Sequence, residues 1–448
     1  MVTQAVSQRY LRLVLVASAV GTVIEWYDFY IFGSLARVLS QQFFSKANPV
    51  AAFLETVALF TIGFLIRPLG ALIFGRIGDV IGRKYTFLIT LTGMGLSTAL
   101  IGFIPTYAQI GLLAAMLLFG LRLIQGLTLG GEYGGAITYV AEHTPDKRRG
   151  YYTGYLQTSP TIGLLLSLIV VVGTRLALGD QAFNAWGWRI PFVLSLVLVV
   201  ISFYIRLKLQ ETPIFTEMKA KRQTAANPWR EAFLSPNIKY VLIAAVVVIG
   251  QGVVWYSSQF WALFFLQTVQ KLDVVTSSTI VGIALLLAAP FFVILGSLSD
   301  RIGRKPIILG GMALAAITYF PIYSALGRVA LPGNVNYPLA VFLVWILVLY
   351  VAMVYGPIAA FLAEYFPARI RYTSVSVPYH IGNGWGGGLV PFITSAAYAH
   401  THSLGSALVY PIVVPAVAFV ISLFLMPQTH MRTMWAKPAP APAMGGER

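Results

Sequence analysis

The chain has 448 residues, 58% of them hydrophobic and only 10% charged, and its mean hydropathy is +0.77. Soluble domains carry charge on about a quarter of their residues, so this composition excludes a soluble globular protein and requires a lipid bilayer. The net charge of +16 would suggest a nucleic-acid surface in a soluble protein, but beside membrane helices basic residues face anionic lipid headgroups instead.

Twelve segments are long and apolar enough to span a hydrocarbon core of ~30 Å, which takes about 20 residues of helix. In chain order they cover residues 11–36, 51–75, 85–104, 108–141, 150–174, 187–207, 239–268, 276–297, 306–327, 337–364, 373–399 and 405–427. The eleventh segment is the most polar. The sequence therefore predicts an all-α membrane protein with twelve transmembrane helices.

The lysines and arginines set the predicted orientation. With a cytoplasmic N-terminus, 23 of the 31 lie on the cytoplasmic side and two lie within the membrane. The six on the outer side are Arg37, Lys46, Arg175, Arg189, Lys271 and Arg328. This distribution follows the positive-inside rule, so we expect both termini in the cytoplasm. We expect no cleavable signal peptide, because the first apolar segment is too long and no small-residue cleavage site follows it.

Two motifs occur twice at nearly the same spacing. The loop from Gly75 to Lys84 returns as Gly296 to Lys305, and the pattern Ala-Glu-x-x-Pro-x-x-x-Arg that begins at Ala141 returns at Ala363. Both offsets are almost half of the chain and differ by one position, which indicates pseudo-symmetric halves. We predict six-helix bundles at 1–208 and 238–427, a cytoplasmic linker at 209–237, and a disordered tail at 428–448.

Five ionisable residues fall within the predicted spans: Glu25, Asp28, Arg67, Arg122 and Glu132. Each costs at least ~2.5 kcal/mol at mid-bilayer on insertion scales, so together they indicate a polar cavity. A carboxylate beside a guanidinium takes up a proton more readily once the guanidinium turns to a substrate. We therefore predict that Asp28 and Arg122, each about half-way along its helix, couple proton binding to transport. A static buried ion pair is the alternative.

The other three charges allow two interpretations each. Glu25 lies one helical turn before Asp28 on the same face, and it either takes part in proton coupling or belongs to a static pair. Glu132 is either a proton or substrate-cation site or the partner of a neighbouring arginine. Arg67 either binds an anionic substrate or extends to the membrane interface.

The second half lacks these charges, because the repeat offset places apolar residues at the positions of Glu25, Asp28 and Arg122. It offers amides and rings instead. We predict that these contact the substrate together with Tyr27 of the first half: Gln251, Trp255, Tyr256, Gln259, Tyr355, His380, Asn383 and Trp385. Gln251, Trp255 and Gln259 recur every four positions and so form one stripe along a helix. A stripe that contains two amides is not expected to face lipid. Helix packing or lipid contact is the alternative for the rings.

The duplicated loops carry acids within basic turns, where a carboxylate can cap a helix N-terminus or pair with arginine. We predict that charged residues of these loops and of the adjacent helix ends pair across the two bundles and close the cytoplasmic mouth. The alternative is that they only fix the topology. The residues are Asp79, Arg83, Glu142, Arg149, Asp300, Arg304, Glu364 and Arg371.

Several patterns narrow the function. The chain has no phosphate-binding Gly-x-x-x-x-Gly-Lys-Ser/Thr loop, no His-Glu-x-x-His motif and no cysteine, so we expect no metal, no cofactor and no enzyme activity. The Gly-x-Gly-x-x-Gly pattern at 382–387 lies within a membrane helix without a preceding strand, which favours helix packing. Gly126, Gly130 and Gly134 also predict close helix contact. A secondary transporter, a channel and a membrane sensor remain.

Further motifs point to one family. The doubled Gly-x-x-x-Asp-x-x-Gly-Arg-Lys loop resembles the signature of the major facilitator superfamily, as does Arg122-x-x-Gln125-Gly126. Shorter motifs resemble its metabolite:proton symporter family, which includes permeases for 2-oxoglutarate, citrate, shikimate and proline or betaine. They are Glu25-Trp26-Tyr27-Asp28-Phe29, Arg67-Pro68-Leu69-Gly70, Gly130-Gly131-Glu132-Tyr133 and Trp188-Arg189-Ile190-Pro191-Phe192.

The resemblance implies a major facilitator fold and a monomeric, proton-coupled importer in a bacterial inner membrane. Because the family is rich in carboxylate carriers, we expect a small organic acid as substrate, with its carboxylate on Arg122 and Arg67. The alternative is a betaine-like zwitterion held by a cage of Trp255, Tyr256 and Trp385. A facilitative uniporter or a transporter-like sensor is less favoured.

Overall fold

The computed structural model describes residues 8–45, 47–207, 213–221, 228–234 and 237–430. The membrane helices α1 to α6 are Gln8–Ser34, Pro49–Leu65 continued by Arg67–Val80, Arg83–Ile101, Leu112–His143, Arg149–Ala185 and Ile190–Leu207. The helices α7 to α12 are Ile238–Tyr256 continued as far as Phe265–Val269, Val274–Ile302, Arg304–Val329, Tyr337–Tyr355 continued by Ile358–Tyr365, Arg371–His380 continued as far as Val390–Thr401, and Leu404–Leu425.

Short elements connect the membrane helices. They are the helices Ala36–Phe43, Tyr107–Ile110, Pro213–Ala220 and Pro228–Phe233, the 3-10 turns Asp146–Arg148, Gly187–Arg189 and Ala368–Ile370, and an antiparallel hairpin of β1 (Ala330–Leu331) and β2 (Asn334–Val335). The hairpin joins α9 to α10 on the side assigned as outer.

The predicted all-α architecture is confirmed. Within the described residues, ten helices are long and apolar enough to cross a membrane. The other two predicted spans correspond to α3, whose apolar part is Leu88–Ile101, and to α11. Wide π-helical turns over Ile381–Gly387 interrupt α11. Four of these seven residues are glycine, which has low helix propensity, so the most polar predicted span is also the least regular helix.

A break near a proline divides helix α2 about half-way along its length. The helix stops at Leu65 and starts again at Arg67, with Pro68 in the first turn of the new segment. Proline is tolerated there because the first turn leaves its backbone N–H groups unbonded in any case. The break places Arg67 at the start of a helix inside the bundle rather than within a continuous apolar face.

Glycines allow α4 to lie directly against α2. A Cβ atom at Gly126 or Gly130 would lie 2.2 Å from a backbone carbonyl oxygen of α2. Any larger residue at either position would force the two helices apart, so the predicted close packing is confirmed there. The third glycine of the series, Gly134, instead faces Ser376 of α11 in the second half.

The two sets of six helices meet along α5 with α8 and along α2 with α11. A Cβ atom at Gly150 of α5 would lie 2.3 Å from the carbonyl oxygen of Gly296 in α8, and one at Gly75 of α2 would lie 3.3 Å from Thr373 Oγ1 in α11. Gly75 and Gly296 occupy the same place in the two copies of the loop motif. The repeat therefore produces a matching close contact on each side of the pseudo-twofold axis.

Candidate functional site

Arg67 is fully buried at the start of the second part of α2, so the alternative that it extends to the interface is wrong. Its guanidinium lies over the rings of Trp26, Phe29 and Phe64, at 5.1, 4.4 and 4.2 Å from their centroids. None of its guanidinium nitrogens has a hydrogen-bond partner among the described residues. The Tyr256 hydroxyl lies near the Arg67 guanidinium but makes no hydrogen bond of normal geometry with it. A buried cation held mainly by aromatic faces keeps its capacity to bind an anion.

Arg122 of α4 is also fully buried, but its guanidinium is hydrogen-bonded. It donates to Gln125 Oε1 at 2.6 Å and to the carbonyl oxygen of Phe60 in α2 at 3.2 Å. The Phe29 ring, which contacts Arg67, also lies 4.2 Å from the Arg122 guanidinium. One ring of α1 thus touches both buried arginines.

No ion pair joins Asp28 to Arg122 in the described residues, so the alternative of a static buried pair between these two is wrong for this conformation. Asp28 is fully buried beside the Ser195 hydroxyl, and its carboxylate oxygens accept no hydrogen bond of normal geometry. An indirect connection exists instead. Gln125 donates to Thr98 Oγ1 at 2.7 Å, and Thr98 donates to the backbone oxygen of Asp28 at 3.4 Å. Arg122, through Gln125, therefore contacts the backbone of α1 rather than its acid.

The other residues of the first half occupy distinct places. Glu25 and Glu132 are both 1% exposed. Tyr27 donates its hydroxyl to the carbonyl oxygen of Pro191 at 2.6 Å. That bond fixes α1 against the start of α6, so the Tyr27 hydroxyl has a structural partner and is not directed at a ligand.

Aromatic rings of the two halves meet around Arg67. Tyr30 of α1 stacks on Trp255 of α7 with centroids 5.3 Å apart, and Phe64 of α2 contacts Tyr256 of α7 at 4.8 Å. The indole nitrogen of Trp255 has no hydrogen-bond partner in the described chain, although the side chain is buried. Trp255 and Tyr256 therefore line the same region as the free guanidinium.

The amide side chains predicted to contact the substrate make hydrogen bonds in two different places. Gln251 and Asn383 hydrogen-bond each other in both directions, at 3.0 and 3.3 Å, which fixes α7 to the irregular part of α11. Gln259 donates to Thr161 of α5 in the other half at 3.4 Å. Because π-helical turns begin at Ser257–Trp261, Gln251 and Gln259 do not form the regular stripe expected of an α-helix.

Trp385 is not part of a ring cage. Its side chain lies on the outside of the bundle, 47% exposed, and its indole nitrogen donates to the Leu65 carbonyl oxygen at 2.9 Å. The predicted cage of Trp255, Tyr256 and Trp385 is therefore wrong in its third member. Tyr30 takes that place, since it stacks on Trp255 from the opposite half.

His380 and Tyr355 are the remaining residues of the second half predicted to contact the substrate. His380 of α11 is fully buried, neither of its ring nitrogens has a partner among the described residues, and it lies within electrostatic range of Arg67. The Tyr355 hydroxyl bonds the Tyr379 hydroxyl at 2.7 Å. Unpartnered polar atoms on Arg67, His380 and Trp255 thus collect in one buried region between the halves.

The charged residues of the duplicated motifs are brought together across the halves at the cytoplasmic ends. Glu364 of α10 accepts from Arg149 of α5 at 3.0 Å and from Arg304 of α9 at 2.8 Å. On the other side of the axis, Glu142 of α4 accepts from Arg371 of α11 at 3.0 Å. The side chains of both acids are buried.

The two loop acids each cap a helix of the opposite half. Asp79 accepts from the backbone N–H and the hydroxyl of Thr373, at 3.1 and 2.7 Å, at the start of α11. Asp300 accepts from the backbone N–H groups of Gly150 and Tyr151, both at 2.8 Å, at the start of α5. A carboxylate is stabilised at a helix N-terminus, and here each cap joins the two halves. The side chain of Arg83 lies outside the described residues.

Sequence reasoning missed several residues of the region around Arg67 and of the cytoplasmic contacts. Thr429, assigned to the tail, is buried and donates to Glu364 at 2.7 Å. Phe29, Tyr30 and the pair Tyr133 with Gln157 were not selected either. The last two carried a usable signal, because the repeat offset relates them to Tyr355 and Tyr379 of the second half.

Comparison with known proteins adds independent information. The profile of a family described as "Sugar (and other) transporter" matches residues 13–227 and 214–436. The chain is 33% identical over 439 residues to the inner membrane metabolite transport protein YhjE of Escherichia coli, covering 94% of this chain and 95% of that protein. It is equally 33% identical over 444 residues to OusA of Dickeya dadantii, a glycine betaine/proline/ectoine/pipecolic acid transporter, covering 96% of this chain and 86% of OusA.

A solved structure confirms the fold. The proton:xylose symporter XylE bound to 6-bromo-6-deoxy-D-glucose superposes with a TM-score of 0.79, covering 95% of this chain and 98% of XylE at 18% sequence identity. At that identity the similarity establishes the architecture and leaves the substrate open.

Proposed function

The chain belongs to the sugar (and other) transporter family of the major facilitator superfamily, and from this premise we propose that it imports a small zwitterionic carboxylate, such as a betaine or proline, together with a proton. It is a multi-pass membrane transporter, not an enzyme. The observation that carries the proposal is the buried Arg67 guanidinium without a hydrogen-bond acceptor, next to a cluster of rings from both halves.

A carboxylate fits Arg67 for a simple electrostatic reason. An uncompensated buried charge is costly, and the cation–π contacts offset only part of that cost, about 2 kcal/mol each at best. Guanidinium offers a planar fork of donors that matches a carboxylate in two-point contact. His380, also without a partner among the described residues, lies within electrostatic range of Arg67 and is a candidate for a further hydrogen bond to the substrate.

The rings favour a substrate that also carries a positive charge. Tyr30, Trp255 and Tyr256 stand together beside Arg67, and aromatic faces attract quaternary or secondary ammonium groups. OusA and two proteins named as putative proline/betaine transporters of Staphylococcus, at 31% identity, support a zwitterion. The organic acid expected from the sequence is the second candidate, because the two buried guanidinium groups of Arg67 and Arg122 both contact the Phe29 ring and could meet a carboxylate.

Asp28 is the proposed proton acceptor. Ionised, it would be a buried charge without a partner in the described residues, so the neutral acid is the form that suits this conformation. Phe29, its neighbour in sequence, touches both Arg67 and Arg122. A substrate that binds Arg67 and displaces Phe29 would therefore move α1 at Asp28, and the two binding events would affect each other reciprocally.

The cytoplasmic contacts provide the other part of the mechanism. The bundles proposed at 1–208 and 238–427, joined by the linker at 209–237, would rock about the central site. Ion pairs such as Arg149 with Glu364, and caps such as Asp79 on Thr373, exist only while the cytoplasmic ends are together. The name of YhjE supports placement in a bacterial inner membrane, and a monomer contains the complete proposed pathway.

Transport by purified protein in liposomes tests this proposal. We expect uptake of radiolabelled glycine betaine or proline that rises several-fold with an inward proton gradient, and competition by other betaines. Arg67→Lys should weaken uptake at least ~10-fold, since a lysine offers no planar fork. Arg175→Lys, at the outer end of α5 and bonded to Asp180, is the matched control and should leave uptake unchanged.

Two outcomes would change the conclusion. Uptake that is inhibited by mono-, di- or tricarboxylates, with no inhibition by betaine or proline, would favour the organic-acid candidate. Uptake that is unaffected by the proton gradient would refute coupling and favour a facilitative uniporter.

A further inference from the structure

Four buried residues form a hydrogen-bonded cluster between α4, α5, α10 and α11. They are two pairs whose members are related by the repeat offset: Tyr133 with Tyr355, and Gln157 with Tyr379. Each is at most 2% exposed. The rings of the equivalent residues Tyr133 and Tyr355 stack with centroids 6.2 Å apart, so the cluster lies at the pseudo-twofold axis.

Two of its contacts stay within a half, and two cross between the halves. The Tyr133 hydroxyl donates to Gln157 Oε1 at 2.6 Å, and the Tyr355 and Tyr379 hydroxyls bond at 2.7 Å. Across the halves, Gln157 Nε2 donates to the Tyr355 carbonyl oxygen at 2.9 Å, and the rings of Tyr133 and Tyr379 stack with centroids 3.5 Å apart. The internal bonds hold each pair in position to make the crossing contacts again.

The cluster lies between the ring-lined region and the ionic contacts. Tyr133 precedes Glu142 by nine positions on α4, and Gln157 follows Arg149 by eight on α5, so about 12–14 Å of helix separates the cluster from the ion pairs. On the other side, Tyr379 is directly followed by His380, which lies within electrostatic range of Arg67. A solute that leaves Arg67 for the cytoplasm must therefore pass this cluster before it reaches the ion pairs.

We propose that these four residues form a second barrier inside the ionic contacts, so that the cytoplasmic path is closed at two levels. This inference rests on the proposed transport function. Separation of the halves breaks the hydrogen bond from the Gln157 amide to the Tyr355 carbonyl and the stack of Tyr133 on Tyr379. It leaves the hydrogen bond within each half intact. Because the cluster and the ion pairs are separate sets of contacts, the ion pairs can open first while the crossing contacts of the cluster still seal the substrate region.

Cysteine accessibility tests the two levels separately, because the natural chain has no cysteine. Thr153 and Thr161 lie four positions before and after Gln157 on α5, hence on the same helix face, and both are buried. Thr153→Cys reports on the space between ion pairs and cluster, and Thr161→Cys on the space beyond it. A membrane-impermeant maleimide is applied to the cytoplasmic face of inside-out vesicles that contain the full-length protein.

In a Glu364→Gln background we expect Thr153→Cys to be labelled at least ~10-fold faster, while the labelling rate of Thr161→Cys stays within about twofold of its original value. Adding Gln157→Leu removes the crossing hydrogen bond, worth roughly a 2- to 10-fold change in an equilibrium, and should raise Thr161→Cys labelling by about that factor. Tyr133→Phe, which keeps the ring stack, provides a milder second variant should Gln157→Leu fold poorly, and should give an increase in the same direction.

The matched control is Tyr319→Phe, which removes another buried tyrosine hydroxyl, bonded to Ser258 and Val254 within the second half. It should leave both labelling rates unchanged. Equal acceleration at Thr153 and Thr161 in Glu364→Gln alone would overturn the proposal, and so would an unchanged Thr161 rate when the cluster is altered. No substrate is needed, so this result is independent of whether betaine or proline is transported.

Discussion

Replacing Glu364 by glutamine tests whether buried ion pairs hold the cytoplasmic ends together. Its Oε1 accepts from Arg149 at 3.0 Å and from Arg304 at 2.8 Å, and the side chains of all three residues are fully buried. Arg149 belongs to the first half and Glu364 to the second. The variant keeps nearly the same volume and loses the negative charge, so the change acts on the electrostatic contact between the halves.

The size of the effect follows from the remaining partners. Removal of one member of a buried ion pair costs about 3–5 kcal/mol. Here Arg149 keeps Asp146 and Arg304 keeps Asp300, and the amide oxygen still accepts a hydrogen bond. We therefore expect ~1.5–3 kcal/mol, the range for hydrogen bonds to charged groups. Since ~1.4 kcal/mol corresponds to a factor of ten, the ratio of closed to open cytoplasmic ends should fall about 10- to 100-fold.

Distance measurement between spin labels at Tyr85→Cys and Ile302→Cys reports on this ratio. Both positions are exposed near the cytoplasmic ends, one in each half. The matched control is Glu231→Gln, whose partner Arg369 is half exposed, and an exposed pair contributes only about 0–1 kcal/mol. A distance distribution that is unchanged in Glu364→Gln, or that changes equally in Glu231→Gln, would refute the reasoning.

Three further substitutions test a cytoplasmic cap, the proposed proton acceptor and the cap of α8. Asp79→Asn weakens the helix cap that Asp79 makes at Thr373, and such a cap is worth ~0.5–2 kcal/mol. It should therefore shift the distance between the two spin labels less than Glu364→Gln does. A strong loss of substrate affinity without such a shift would contradict the gate role. Asp28→Asn imitates the protonated acid, so gradient-driven accumulation should stop while exchange across the membrane continues, and accumulation with unaltered pH dependence would exclude Asp28 as the acceptor. Asp273 caps α8: partial burial acts to raise the pKa of its carboxyl, but hydrogen bonds from Thr276 outweigh this and hold the pKa below the usual 3.8. That stabilisation is fully present above the unfolded-state pKa and is lost as pH falls through the folded-state pKa. Asp273→Ala should therefore lower the Tm more near pH 7 than near pH 3, and an equal loss at both pH values would contradict it.

The cytoplasmic contacts could be predicted from the sequence because their signal is local and repeated. An acid within a basic turn, followed at fixed spacing by a second acid and an arginine, occurs once in each half, and charged groups near helix ends have few partners to choose from. The sequence names the charged residues and predicts pairs across the halves, whereas the structure decides that Glu142 pairs with Arg371 and Glu364 with Arg149.

The centre of the molecule could not be predicted in the same way. Asp28 and Arg122 share the right depth, but the rotation of α1 against α4 directs the guanidinium to Gln125 and to a carbonyl of α2. Trp385 is expected among the substrate-binding rings, yet the π-helical turns at Ile381–Gly387 change which residues share a face, and its ring lies outside.

The sequence by itself determined the solvent, the number and order of the helices, the duplication and the family, because these depend on composition, apolar length and local motifs. Only the tertiary structure decided which buried groups meet: Phe29 against two arginines, Tyr30 on Trp255, and Tyr133 on Tyr379. These contacts depend on how helices distant in sequence rotate and approach one another, and that is set by the packing of all twelve together rather than by any single segment.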